Sequence, residues 1–247
     1  VSGFLLAWRY LTIVPLPGGR APRSGDPGRA AAWFPLVGLV IGGGLVAVDT
    51  VAALLFPGLL AALLTVTTWK LLTGGLHLDG LADCLDGLMG TDRERRLAIM
   101  RDSRIGAFGA IGLILFLLLE IAAVSELTAA LRPRALLAAP AIGRAMPSLL
   151  GRLYPPARAD GQGAAFQHGL SRPAALLALG VALLVAAAAL GAAGIVAVIV
   201  AVAAGVALGR FLSSRLGGVT GDVLGAAVET AELATLLTIS AWGHAAR

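Results

Sequence analysis

Three aspartates, Asp79, Asp83 and Asp86, fall within eight residues of the run Gly74-Gly75-Leu76-His77-Leu78-Asp79-Gly80-Leu81-Ala82-Asp83-Cys84-Leu85-Asp86-Gly87. On a helix the spacing i, i+4, i+7 puts them within about 60° of one another, spread over ~10 Å. Clustered carboxylates repel, and dehydrating them beside a membrane is costly. A divalent cation compensates that charge, because carboxylate oxygens are its natural ligands, and the spacing would allow two ions as in phosphoryl-transfer sites. The bland alternative is a solvated helix face with Asp79 as N-cap. The whole chain holds only 14 acidic residues, and three within eight residues favour the metal reading. His77 is open to two readings, packing or proton transfer. Cys84 reads as a buried, inert thiol, and as the one cysteine it allows no intrachain disulfide.

Two further segments carry polar chemistry. In Thr91-Asp92-Arg93-Glu94-Arg95-Arg96-Leu97-Ala98-Ile99-Met100-Arg101-Asp102-Ser103-Arg104, Thr91 and Glu94 have capping-box spacing and predict a helix start. On that helix Arg93, Arg96, Arg101 and Arg104 would cluster on one side. Arginines suit bidentate contact with phosphate, although alone such a run also reads as a holder of anionic headgroups. Next to three carboxylates it points to a diphosphate substrate. The run Gly217-Gly218-Val219-Thr220-Gly221-Asp222-Val223-Leu224-Gly225 lets backbone approach closely and ends in a helix start that offers N–H groups to an anion. Asp222 and Glu229, seven apart, share a face. Glu229, Glu120 and Arg144 lie inside apolar stretches, where an ionisable group marks a functional site by default. Glu120 and Arg144 could equally pair with each other.

The elements that must position these groups are membrane helices. Hydrophobic residues make up 58% of the 247 and charged residues 13%, against about 25% charged in a soluble domain. This excludes a soluble globule, a disordered chain and a nucleic-acid-binding arm. The chain reads as one all-α polytopic bundle over residues 1–247, with an interfacial N-terminal helix (Phe4 to Pro17) and about seven spans. These are Trp33 to Phe56, Leu59 to Leu76, Ile105 to Leu127, Ala135 to Gly151, Pro173 to Leu190, Gly194 to Leu212 and about Asp222 to Trp242. Residues 18 to 32, His77 to Arg104, Arg152 to Arg172 and Ser213 to Gly221 read as polar connections. Fourteen arginines fall on the side of the long loops, and Arg132, Arg134 and Arg247 on the other. The positive-inside rule therefore predicts a site facing the cytoplasm. No secretory signal is visible, and the start at Val1 without a Met predicts that residues ahead of it were removed or are not included.

The blocks GGLHLDGLADCLDG, RERRLAIMRDSRIGAFG and GGVTGDVLGAAVE, with FPLVGLVIG in the first span, strongly resemble the cobalamin synthase family of adenosylcobinamide-GDP ribazoletransferases. The resemblance covers nearly the whole chain. It implies a multi-pass bacterial or archaeal inner-membrane enzyme that needs Mg²⁺. Such an enzyme joins adenosylcobinamide-GDP to α-ribazole or its 5′-phosphate, releasing GMP and adenosylcobalamin or its 5′-phosphate. On this reading Asp79, Asp83 and Asp86 hold Mg²⁺, with Asp79 least replaceable. One of these acids, or a metal-bound hydroxide, takes the ribose proton. Arg101 and Arg104, flanking Asp102 and Ser103, would grip phosphate, with His77 nearby. Thr220 and Asp222 would complete the polar end, and Arg144 and Glu229 would meet the corrin amides. The lipid bilayer is the expected partner, nucleic acid is not, and a homo-oligomer stays open. Asp83-x-x-Asp86-Gly87 also resembles half of the CDP-alcohol phosphotransferase signature, but Leu88-Met89-Gly90-Thr91 stands where its Ala-Arg is expected. A transporter is the rival from another class. It would place its polar groups near the midplane of related halves, and no internal repeat is evident here.

Overall fold

A computed structural model describes residues 3–18 and 23–246. Of the residues behind the expectations above, Val1, Arg20 (one of the fourteen loop arginines) and Arg247 lie outside the described residues. Among those described there is no strand, only an isolated parallel bridge between Pro156 and Val219. The helices are α1 (Gly3–Leu11), α2 (Asp26–Arg29), α3 (Phe34–Leu55), α4 (Gly58–Leu72), α5 (Leu76–Gly87) and α6 (Arg93–Ile99). They continue with α7 (Ala107–Glu126), α8 (Arg132–Leu153), α9 (Gln162–Gly169), α10 (Arg172–Leu190), α11 (Ala192–Leu216) and α12 (Gly221–Ala245).

Helix ends follow the local chemistry. The 3₁₀ turn Ala31–Trp33 leads into α3, which has Pro35 in its first turn and stops at Leu55 because Pro57 forces Phe56 to extend. α4 ends where Gly74 and Gly75 adopt φ of 61° and 67°. The chain then turns through 89° between α4 and α5. The N-terminal helix is shorter than the sequence predicts. It ends at Leu11, and the following strap is held by Trp8 Nε1 donating to Val14 O and Ile13 N donating to Leu72 O. The start of α6 also differs from expectation. Asp92, not Thr91, is the N-cap and accepts from Arg95 N. The helix ends at Ile99, so Arg101 and Arg104 lie on the loop beyond it. α9 interrupts a segment expected to be loop.

Among the described residues, five helical segments are long and apolar enough to cross a membrane, and the bent α4–α5 pair passes only when taken together. α8 occupies the expected fourth span but is too polar to count among them. From Ala135 to Ser148 every residue but Leu137 is buried, so this helix, which contains Pro140 and Pro147, is surrounded by protein rather than lipid. It packs on α3, α10 and α12. The apolar side chains of α7, α10 and α11 such as Leu115, Leu176 and Ile199 point outward. The polar connections gather at one end of the bundle: Arg93 donates to Leu216 O (2.8 Å) and Ala157 O (2.7 Å), tying three of them together.

Candidate active site

The acidic face of α5 is laid against the start of α12. A Cβ at Gly80 would stand 2.7 Å from Asp222 O, so glycine is what allows the two backbones to meet. This contact brings Asp222 beside Asp79 and Asp83. Thr220 is the N-cap of α12, accepting from Val223 N, and its hydroxyl donates to Asp222 Oδ2 (3.1 Å). Thr220 is itself buried, so its observed work is to orient Asp222. Burial pushes the Asp83 carboxyl up to about 7, helped by the like charges of Asp79, Asp222 and Asp86 and opposed by Arg158. An all-oxygen donor set that repels itself in this way fits a divalent cation.

The third aspartate of the expected set is turned elsewhere. Asp86 is buried and accepts from Gly106 N and Gly109 N, both at 2.7 Å. It caps the start of α7 from a neighbouring helix. The i+7 position shares the face in angle, but two turns along the axis it has reached a different partner. Asp86 thus turns away from the acidic face, and Asp222 stands in its place beside Asp79 and Asp83. Asp86→Ala should lower the melting temperature by the equivalent of about 1–3 kcal/mol. Thermal melts of the variant beside the wild type would show the loss.

Asp79 stands on the wall shared by two cavities. The larger, about 810 Å³, is lined by Asp79 and Asp83 on one side and by Arg101, Asp102, Ser103 and Arg104 on the other. Arg101 lies 3.4 Å from Asp160, and Arg104 grips Asp102 at 2.6 Å, which holds the Asp102 carboxyl low, at about 2. The arginines thus line the same cavity as the two carboxylates, from a loop and not from the helix that the sequence predicts. Arg93, expected in the same cluster, is spent on the carbonyls that it ties. The smaller cavity, about 210 Å³, is lined by His77, Asp79, Arg158 and Asp222 among others. Arg158, 3.6 Å from Asp222, is a site residue that the sequence reading missed. It sits in a loop without any motif, and only the pairing of that loop with Val219 brings it here. Cys84 is buried, as expected, and burial pushes its thiol up.

Arg144 and Glu229 do not reach either cavity. Both are buried in an ion cluster between α4, α7, α8 and α12. Lys70 Nζ lies 2.8 Å from Glu120, 2.7 Å from Glu229 and 3.7 Å from Glu232, and Arg144 pairs with Glu232. Arg144 therefore does not pair with Glu120, and the proposed contact of Arg144 and Glu229 with a corrin is corrected to an internal one. Among the described residues, Glu120, Glu229 and Glu232 are the three carboxylates whose oxygens all lie within 4.8 Å. The Lys70 ammonium already fills the place of a cation there.

Comparison with known proteins bears on this arrangement. The chain matches the family model of cobalamin-5-phosphate synthase over residues 3–240. It is 41% identical over 245 residues to an adenosylcobinamide-GDP ribazoletransferase of Pseudomonas fluorescens, covering 96% of this chain and 98% of that protein. It is 44% identical over 236 residues to the protein of the same name from Herpetosiphon aurantiacus, covering 95% and 94%. A third, from Roseiflexus sp., is 40% identical over 238 residues, covering 95% and 87%. No solved structure matches the chain significantly.

Proposed function

Since the chain belongs to the cobalamin-5-phosphate synthase family, we propose how it acts as an adenosylcobinamide-GDP ribazoletransferase. It works as a multi-pass protein of the inner membrane with its site towards the cytoplasm. Adenosylcobinamide-GDP presents its diphosphate to the acidic face of α5, and Arg101 and Arg104 grip it from across the larger cavity. A ribose hydroxyl of α-ribazole, or of its 5′-phosphate, attacks the phosphorus that carries the cobinamide aminopropanol. A new P–O bond forms, the P–O bond to GMP breaks, and the hydroxyl proton passes to a carboxylate oxygen of this face. Asp79, Asp83 and Asp222 would hold Mg²⁺, which when bound neutralises the diphosphate and the leaving oxygen. Mg²⁺ commonly binds through one or two carboxylates together with substrate phosphates. That suits aspartates which flank a cavity instead of closing into a cage.

The observation that carries this reading is the place of Asp79 between two cavities, with Asp83 and Asp222 beside it. Purified protein given adenosylcobinamide-GDP, α-ribazole and Mg²⁺ should release GMP. Chelation with EDTA should abolish the release, and added Mg²⁺ should restore it. Release of CMP from a CDP-alcohol, with none of GMP, would replace this reading with that of a phospholipid-type phosphotransferase.

A further inference from the structure

The two cavities that meet at Asp79 differ in chemistry as well as in size. The floor of the smaller one is aromatic. Tyr10 stacks on Phe34 with ring centres 5.8 Å apart, and Phe34 lies 5.8 Å from Phe166. Phe34 and Phe166 are buried in this stack and back the half-buried Tyr10, whose ring can hold a flat ligand by stacking. His77 also lines this cavity. It is 5% exposed, and its Nδ1 has no hydrogen-bond partner. An unpaired buried ring nitrogen costs free energy that a ligand with a matching polar atom would recover.

The rim is built for an anion. The first turns of α9 and α12 both line it, through Gln162 and Gly163 and through Gly221 and Asp222. They touch backbone to backbone, since a Cβ at Gly163 would stand 2.6 Å from Gly221 N. α9 has no side-chain cap, which leaves its first N–H groups free. Arg158 lines the same cavity, 3.6 Å from Asp222. The loop that presents it is anchored by Arg93 on Ala157 O and by Ala157 N donating to Val219 O.

We propose that this smaller cavity is the acceptor subsite. The flat heteroaromatic base of the nucleoside lies on the aromatic floor with a ring nitrogen towards His77, and its ribose faces Asp79. Arg158, with the starts of α9 and α12, takes the 5′-phosphate when the nucleotide form binds. The bulky corrinoid is left to the larger and more open cavity. This assignment rests on the transferase reading above, and it makes Arg158 the residue that distinguishes α-ribazole 5′-phosphate from α-ribazole.

The test uses the full chain in detergent or nanodiscs, as wild type, Arg158→Gln and Arg158→Lys. In Arg158→Gln the ratio of KM for α-ribazole 5′-phosphate to KM for α-ribazole should rise at least about tenfold, with Arg158→Lys in between. The KM for adenosylcobinamide-GDP should move less than about twofold. Equilibrium dialysis of α-ribazole 5′-phosphate, without the corrinoid substrate, should show the same loss of affinity. The lysine variant keeps the charge beside Asp222 and so preserves a folded comparison. An unchanged ratio, or a rise in the KM for adenosylcobinamide-GDP instead, overturns the assignment. Binding that depends on Arg158 without any GMP release by the wild type overturns the transferase reading and upholds the subsite.

Discussion

Asp79→Asn should abolish GMP release while the protein still inserts, purifies and melts like the wild type. Asp79 is exposed and lines both cavities, so its carboxylate supports no packing. Asparagine keeps the shape and one acceptor oxygen but removes the charge. Loss of an outer-shell partner of a metal ligand typically costs 10–100-fold, so loss of a ligand itself should cost at least about 100-fold. The measurement is the rate of GMP release at saturating substrates over a range of Mg²⁺ concentrations, beside a thermal melt. Turnover near that of the wild type would remove Asp79 from the site. A lowered melt with normal turnover would turn it into a structural residue.

Lys70→Met should have the largest effect on stability. It leaves Glu120, Glu229 and Glu232 with Arg144 alone, and that guanidinium reaches only Glu232. Removing one partner of a buried ionic group typically costs about 3–5 kcal/mol, because the remaining charges stay desolvated. The variant should accumulate poorly and melt earlier in detergent. Glu120→Gln combined with Glu229→Gln should recover part of the yield in the Lys70→Met background, since the excess charge is then gone. Equal accumulation and melting of Lys70→Met and wild type would refute this account.

Much of this arrangement was legible along the chain, where the relevant information is local. The i, i+4 spacing of Asp79 and Asp83 fixed a shared face, and long apolar runs marked α3, α7, α10, α11 and α12. What stayed hidden depends on contacts between residues far apart in sequence. Asp86 has the spacing of a ligand, yet its partners are N–H groups 20 and 23 residues on. Arg144 looked like a partner for Glu120 by depth alone, but the approach of α12 gives it Glu232 instead. Ala135 to Gly151 reads as an ordinary span, yet the arginines and prolines of α8 lower its apolarity, and only its central position explains why they are tolerated. Arg158 belongs to no pattern at all. Its role follows from a loop pairing that no periodicity encodes.

The ion cluster also has a consequence for how the protein is made. Helices enter the bilayer in chain order, so Lys70 can find Glu120 once α7 has followed α4. Arg144 on α8 meets its carboxylate only when α12 arrives, 88 residues later. A lone guanidinium in hydrocarbon is costly. Until the ribosome has delivered α12, the nascent bundle therefore carries an unmatched charge at its centre. Closure of the bundle therefore waits for α12, and a chain cut short before α12 would keep that unmatched charge at its centre.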